Sequence, residues 1–231
     1  NGMLQYDGNS WKLFSLNNDS DVRSVLPSAI QNRIYVGGIS EFGYFAPAAN
    51  GQLVYNCLSD SISEQERSIG NVWGVHETDN ILYVQGDNTV IKYLNGKFTI
   101  IGSGCHIDCS GMVKGVLYVG TDPGVMVLIG NTFFPLRGAE PLSTKRIRGI
   151  IPYHTGVIVV TAYDGLFHCD GENCTPIRTS VDGFLSDNEI FCVATAGKYI
   201  ALGTVHKGIV LLDTVSWTAK YFNENNGLQN N

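Results

Sequence analysis

The phrase Ile34-Tyr35-Val36-Gly37-Gly38 returns as Leu82-Tyr83-Val84-Gln85-Gly86, Leu117-Tyr118-Val119-Gly120-Thr121, Ile158-Val159-Val160-Thr161-Ala162 and Ile200-Ala201-Leu202-Gly203-Thr204. Successive starts lie 48, 35, 41 and 42 residues apart. A unit of about 40–45 residues holding four short strands has the period of a β-propeller blade. Each copy reads as a buried second strand.

The other strands follow by working outward from the phrase. An apolar stretch precedes four of the copies, at residues 22–26, 72–76, 147–151 and 190–194, and reads as the innermost strand. The corresponding stretch of the third copy, 107–112, is irregular. Two outer strands follow each phrase. Residues 90–94 and 97–101 flank Asn95-Gly96, 125–129 and 132–136 flank Gly130-Asn131, and 166–169 and 174–177 flank Asp170-Gly171-Glu172-Asn173. Asn-Gly and Asp-Gly tips supply the positive φ that tight hairpins require.

The expected fold is all-β: a β-propeller of four-stranded antiparallel blades in an incomplete ring, about five blades plus an outer hairpin. The blade units are 1–20 (partial), 21–70, 71–105, 106–145, 146–188 and 189–231, within one propeller region. A polar insertion at 59–68 lengthens the first step and reads as a loop or one helical turn. Both ends are ragged against the repeat. Residues 3–14 form an outer hairpin without inner strands. Asn226-Gly227-Leu228-Gln229-Asn230-Asn231 repeats the lead-in Gly183-Phe184-Leu185-Ser186-Asp187-Asn188. The expectation is a fragment of a longer protein whose open sheet edges and blade faces favour self-association.

Composition agrees with many short buried strands. The 231 residues are 44% hydrophobic and 16% charged, with 27 glycines. A net charge of −6 without a Lys/Arg run argues against a nucleic-acid partner, which needs a basic stripe. No apolar run approaches 18 residues, so nothing reads as a membrane-spanning helix. Of six cysteines, Cys169 and Cys174 flank a hairpin tip and are placed to face each other as a disulfide. Cys105-His106-x-x-Cys109 lacks a second ligand pair at zinc-finger spacing and reads as loop cysteines without metal. The glycosylation triplets Asn18-Asp19-Ser20 and Asn173-Cys174-Thr175 match a pattern common by chance and are discounted.

Several phrases carry a family resemblance. They are Leu202-Gly203-Thr204 with Gly208-Ile209, Val119-Gly120-Thr121 with Gly124-Val125, and Asp164-Gly165-Leu166. More specific are the opening residues from Asn1-Gly2-Met3-Leu4 to Trp11, and Arg33-Ile34-Tyr35-Val36-Gly37-Gly38 followed by Glu41-Phe42-Gly43-Tyr44-Phe45. Together they resemble the two-component regulator propeller repeat family, and the opening phrases resemble the first blades of the sensor halves of membrane-spanning bacterial regulators. Most blades carry Tyr or another apolar residue where that family has Trp. The resemblance implies a non-catalytic sensor at the periplasmic face of the inner membrane. In the parent a triple-tyrosine immunoglobulin-like domain, a membrane helix, and a histidine kinase or DNA-binding output would follow. The implied ligand is a small molecule, a carbohydrate breakdown product or oligosaccharide.

No catalytic motif is present: Gly-x-Ser-x-Gly, His-Glu-x-x-His and the P-loop are absent, and no cofactor or metal is called for. Propellers bind at one mouth of the central channel. By that geometry the candidates are the second-position residues of the inner strands, Arg23, Trp73, Arg148 and Phe191. The loop residues Glu41, Asp87, Asp122, Tyr163, Asp164, His206 and Lys207 join them. Each has a plain structural alternative. The arginines would pair with carboxylates between blades, Trp73 would be packing and not a sugar platform, and the aspartates would shape turns. Two rival functions stay open. A propeller glycoside hydrolase or lyase needs converging carboxylates or a His/Tyr base, and a protein-interaction scaffold needs a flat apolar mouth.

Overall fold

The computed structural model describes residues 1–63 and 69–229. It is a β-propeller fold of five four-stranded antiparallel sheets and one hairpin, and every sheet runs in chain order from its inner to its outer strand. The hairpin is β1 (Met3–Tyr6) with β2 (Trp11–Phe14). The first blade is β3 (Ser24–Pro27), β4 (Ile34–Gly37), β5 (Phe42–Pro47) and β6 (Leu53–Cys57). The second is β7 (Gly74–Thr78), β8 (Ile81–Gln85), β9 (Thr89–Leu94) and β10 (Lys97–Gly102). Then come β11 (Ile107–Val113), β12 (Val116–Thr121), β13 (Gly124–Ile129) and β14 (Thr132–Pro135). The fourth blade is β15 (Ile147–Tyr153), β16 (Gly156–Thr161), β17 (Leu166–Cys169) and β18 (Cys174–Ile177). The fifth is β19 (Ile190–Ala196), β20 (Tyr199–Thr204), β21 (Ile209–Asp213) and β22 (Ala219–Phe222).

The chain forms two compact units, residues 1–107 and 108–231. Within each, the core lies between successive sheets. In the first unit Met3, Phe14 and Leu16 pack on Val36 and Phe45, and Tyr35 and Phe42 pack with Val72, Val84 and Ile91. In the second, Val125, Leu142 and Ile147 pack with Val159 and Phe167, and Ile158, Val160 and Leu166 pack with Ile190, Ile200 and Leu202. The recurrent phrase is the second strand in every blade, mostly buried in the first four and alternately buried and half-buried in the fifth.

Its last residues have two structural duties. Gly120 leaves room for the next blade: a Cβ there would lie 2.6 Å from Cβ of Ile147 and 2.8 Å from Sγ of Cys109. Gly37 does the same against Val72. Thr121, Thr161 and Thr204 each donate their hydroxyl to the carbonyl of the glycine that opens or precedes the third strand, at 2.8 Å. Two of these hydroxyls also accept a backbone N–H from the turn, of Asp164 and of Lys207.

The inner strands differ from the sequence expectation at their starts. Regular pairing begins at Ser24 and Gly74, two residues later than expected. The cause is a repeated β-bulge. Arg23 donates its N–H to Gly37, which already faces Ser24, and Trp73 donates to Gln85, which already faces Gly74. In the fourth and fifth blades the register shifts between Ile147 and Gly149 and between Ile190 and Cys192. The third inner strand, read as irregular, is a full seven-residue strand. The lead-in before β19 is a helical turn, Asp182–Asp187, with Leu185 buried. In the polar insertion Ser59–Ser61 is a 3₁₀ turn, and residues 64–68 lie outside the described residues.

Candidate functional site

One position recurs at the start of the inner strands: an apolar residue, half-buried in the first blade and buried in the others, a variable residue, then a small one. The triplets are Val22-Arg23-Ser24, Val72-Trp73-Gly74, Ile107-Asp108-Cys109, Ile147-Arg148-Gly149 and Ile190-Phe191-Cys192. The bulge lets the apolar residue stay in the core and re-aims the middle side chain. Within each unit these middle residues touch their counterpart in the next blade. The Arg23 guanidinium lies 5.6 Å from the Trp73 ring. Arg148 lies 3.8 Å from Asp108 on one side and 5.8 Å from the Phe191 ring on the other.

In the second unit this row anchors a charged network. Arg148 donates through Nη2 to Glu189 at 2.5 Å. Arg146 reaches Asp108 at 3.3 Å and Glu189 at 3.7 Å. Tyr163 donates its hydroxyl to the second oxygen of Glu189 at 2.8 Å. The Asp108 and Arg148 side chains are only 5% and 11% exposed, whereas that of Arg146 is 57% exposed. Backbone bonds fix the frame. Ala162 donates to the Arg146 carbonyl and accepts from Ile190, and the Glu189 carbonyl accepts from Val205. The Arg148 hydrogen bond, reinforced by that of Tyr163, holds the Glu189 carboxyl below its ordinary range. The same bond from Tyr163 raises the phenol. Phe191 and Tyr163 remain largely open beside this network.

The other expected residues divide. Asp164 pairs with Lys145 at the β16–β17 turn. Asp122, His206 and Lys207 are exposed in the β12–β13 and β20–β21 turns. Glu41, in the first unit, is a buried carboxylate that accepts the N–H groups of Asn17 and Asn18 at 2.8 and 2.9 Å, so its oxygens serve the loop after β2. Asp87 accepts from the Trp73 indole at 2.9 Å and from the Asn71 N–H at 3.2 Å. Three residues of the network escaped sequence reasoning: Asp108, Arg146 and Glu189. Asp108 occupies the second inner-strand position of the third blade, and the rule that selected Arg148 selects it too. Arg146 and Glu189 sit just ahead of their strands, where no periodicity marks them. Among the described residues no cluster of three or more His, Cys, Asp or Glu is placed to hold a metal ion.

No protein-family model and no curated protein matches the sequence. Solved structures do match. An extracellular domain of BT4673 from B. thetaiotaomicron, assigned as a one-component system, superposes over 100% of this chain with TM-score 0.70 and 18% identity. A second structure of a BT4673 extracellular domain, there assigned as a hybrid two-component system, covers 99% at TM-score 0.65 and 19% identity. The extracellular domain of BT3049, a protein assigned to the hybrid two-component systems of the same organism, covers 90% at TM-score 0.66 and 17% identity. This chain spans 32%, 30% and 30% of those chains, about a third of their length. At such identity the likeness establishes the propeller fold, the architecture of the sensor regions that the first-blade phrases resemble.

Proposed function

We propose that this chain is a non-catalytic, extracytoplasmic ligand-sensing propeller segment of a bacterial two-component-type regulator, and that its ligands are carbohydrate-derived. The observation that carries the reading is the network of Asp108, Arg146, Arg148 and Glu189 flanked by open Tyr163 and Phe191. Its paired charges offer hydroxyl groups both donors and acceptors, and its aromatic faces offer apolar surface. A glycosidase needs one carboxyl held protonated as general acid and a second as base or nucleophile. The arginine bond on Glu189 keeps that carboxyl ionised, so Glu189 does not supply the general acid. The first-blade phrases and the extracellular domains sharing the fold support the sensor assignment. The Cys169–Cys174 disulfide supports an oxidising compartment, with the parent anchored at the periplasmic face of the inner membrane.

The test is a panel of soluble oligosaccharides followed by thermal shift and calorimetry. A ligand at a hundred times its Kd stabilises the folded state by about 2.7 kcal/mol, a rise of roughly 5–10 °C in Tm for a domain of this size. At least one glycan is expected to give such a rise without being cleaved, and Arg146→Ala with Tyr163→Ala should abolish it. Chromatographic detection of glycan turnover would transfer the chain to the enzyme reading. A panel that moves nothing would remove the carbohydrate assignment.

A further inference from the structure

In the first unit Trp73 is neither core packing nor a loose surface ring. The residue is 44% exposed, yet its indole is fixed in orientation. Its Nε1–H donates to Oδ1 of Asp87 at 2.9 Å. Oδ2 of the same carboxylate accepts the Asn71 N–H, and the Asp87 N–H donates to the Ile69 carbonyl. Gly70 makes this possible. It has φ +73°, and a Cβ there would run into the Asp87 carboxylate. Arg23, from the preceding blade, stands 5.6 Å from the indole, and among the described residues its guanidinium makes one ion pair, to Asp21 at 3.6 Å. A positive-φ glycine, an anchored carboxylate and a bulge thus hold in place a ring that stays partly exposed with the Arg23 guanidinium over it. The other strongly exposed indole, Trp11, stacks instead on Tyr6 at 4.7 Å.

We propose that Trp73 is a stacking platform for one pyranose ring of a glycan, with Arg23 and Asp87 as its polar flank. The C–H face of a pyranose is apolar and flat, and its hydroxyls project around the rim. Stacking on a fixed indole desolvates the C–H face with little ordering penalty, because the ring is already held. The rim hydroxyls then meet the guanidinium donors of Arg23 and the remaining lone pairs of Asp87. This subsite belongs to the first unit and rests on the carbohydrate reading above.

The probes are neutral and uronate-containing tri- and tetrasaccharides, titrated calorimetrically against the wild-type chain, Trp73→Ala, Trp73→Phe and Trp11→Ala. Folding of each variant is checked by circular dichroism. For a sugar that binds the wild type, Trp73→Ala is expected to weaken Kd at least about tenfold, a loss of about 1.4 kcal/mol or more. Trp73→Phe, which keeps a flat apolar face, should restore most of that loss, and Trp11→Ala should bind as wild type. Binding unchanged in Trp73→Ala overturns the platform and leaves the sensing function standing. Equal loss in Trp73→Ala and Trp73→Phe overturns stacking in favour of a structural role. Failure of every sugar to bind the wild type overturns both.

Discussion

A threonine at the end of a second strand carries much of what the sequence repeats. Thr121, Thr161 and Thr204 recur because one hydroxyl closes the turn into the third strand by bonding a glycine carbonyl, which for Thr161 and Thr204 also accepts the threonine's own backbone N–H. This residue marks architecture, whereas the candidate chemistry falls on a position whose side chain varies: Arg23, Trp73, Asp108, Arg148 and Phe191 share a place, and only the two arginines share a side chain. A titration distinguishes another residue. Burial holds the His76 imidazole down to about 4, against an ordinary 6.5. Between those pH values the unfolded chain takes up a proton that the folded chain refuses. The contribution is therefore fully present above 6.5 and lost as pH falls toward 4. The difference corresponds to at most about 3 kcal/mol. Urea midpoints at pH 7 and 4.5 should separate for the wild type and lie closer together for His76→Gln. Equal separation in the two proteins would assign the acid sensitivity to other groups.

At the scale of strands and sheets, the phrase and its hairpins were legible because their period is local. Apolar runs, Asn-Gly tips and glycines speak within a few residues of one another, and Asn95 and Gly96 both adopt the expected positive φ. The bulge was not legible, since it arises from fitting a twisted inner strand against its neighbour and leaves only the apolar-variable-small triplet as a trace. Glu189 and Arg146 were hidden for a related reason: their partners lie a blade away, and nothing in local sequence announces a contact made across 40 residues. The close approach between blades yields a sharp expectation. Gly120→Ala puts a methyl against fully buried Ile147 and should destabilise by about 1–3 kcal/mol. Gly102 ends an outer strand with open space around its Cα, so Gly102→Ala should stay within about 0.5 kcal/mol of wild type or gain slightly. Chemical denaturation measures both. Similar effects at the two positions would mean that glycine recurs in the phrase for a reason other than blade packing.

At the scale of the whole molecule, each unit's core lies between successive sheets, and the one covalent cross-link among the described residues is local. Cys169 and Cys174 are directly opposite across β17 and β18, with Cα atoms 4.1 Å apart. The Cys174 N–H turns away to the Gly138 carbonyl, which leaves this pair a close, non-hydrogen-bonded one, the geometry in which facing side chains approach best. A bridge that closes so short a loop removes little entropy from the unfolded chain, about 2 kcal/mol by the loop-length relation. For a chain of this size that is roughly 4–8 °C in Tm. Reductant should therefore lower Tm by that amount without abolishing the fold, and Cys169→Ala with Cys174→Ala should reproduce the reduced value and no longer respond to reductant. The other four cysteines, Cys57, Cys105, Cys109 and Cys192, are free thiols, so they supply no second bridge to confuse the comparison. If reduction left Tm unchanged, the hairpin would be held by its strands and its apolar contacts alone. The disulfide would then report the redox state of the compartment without stabilising the blade.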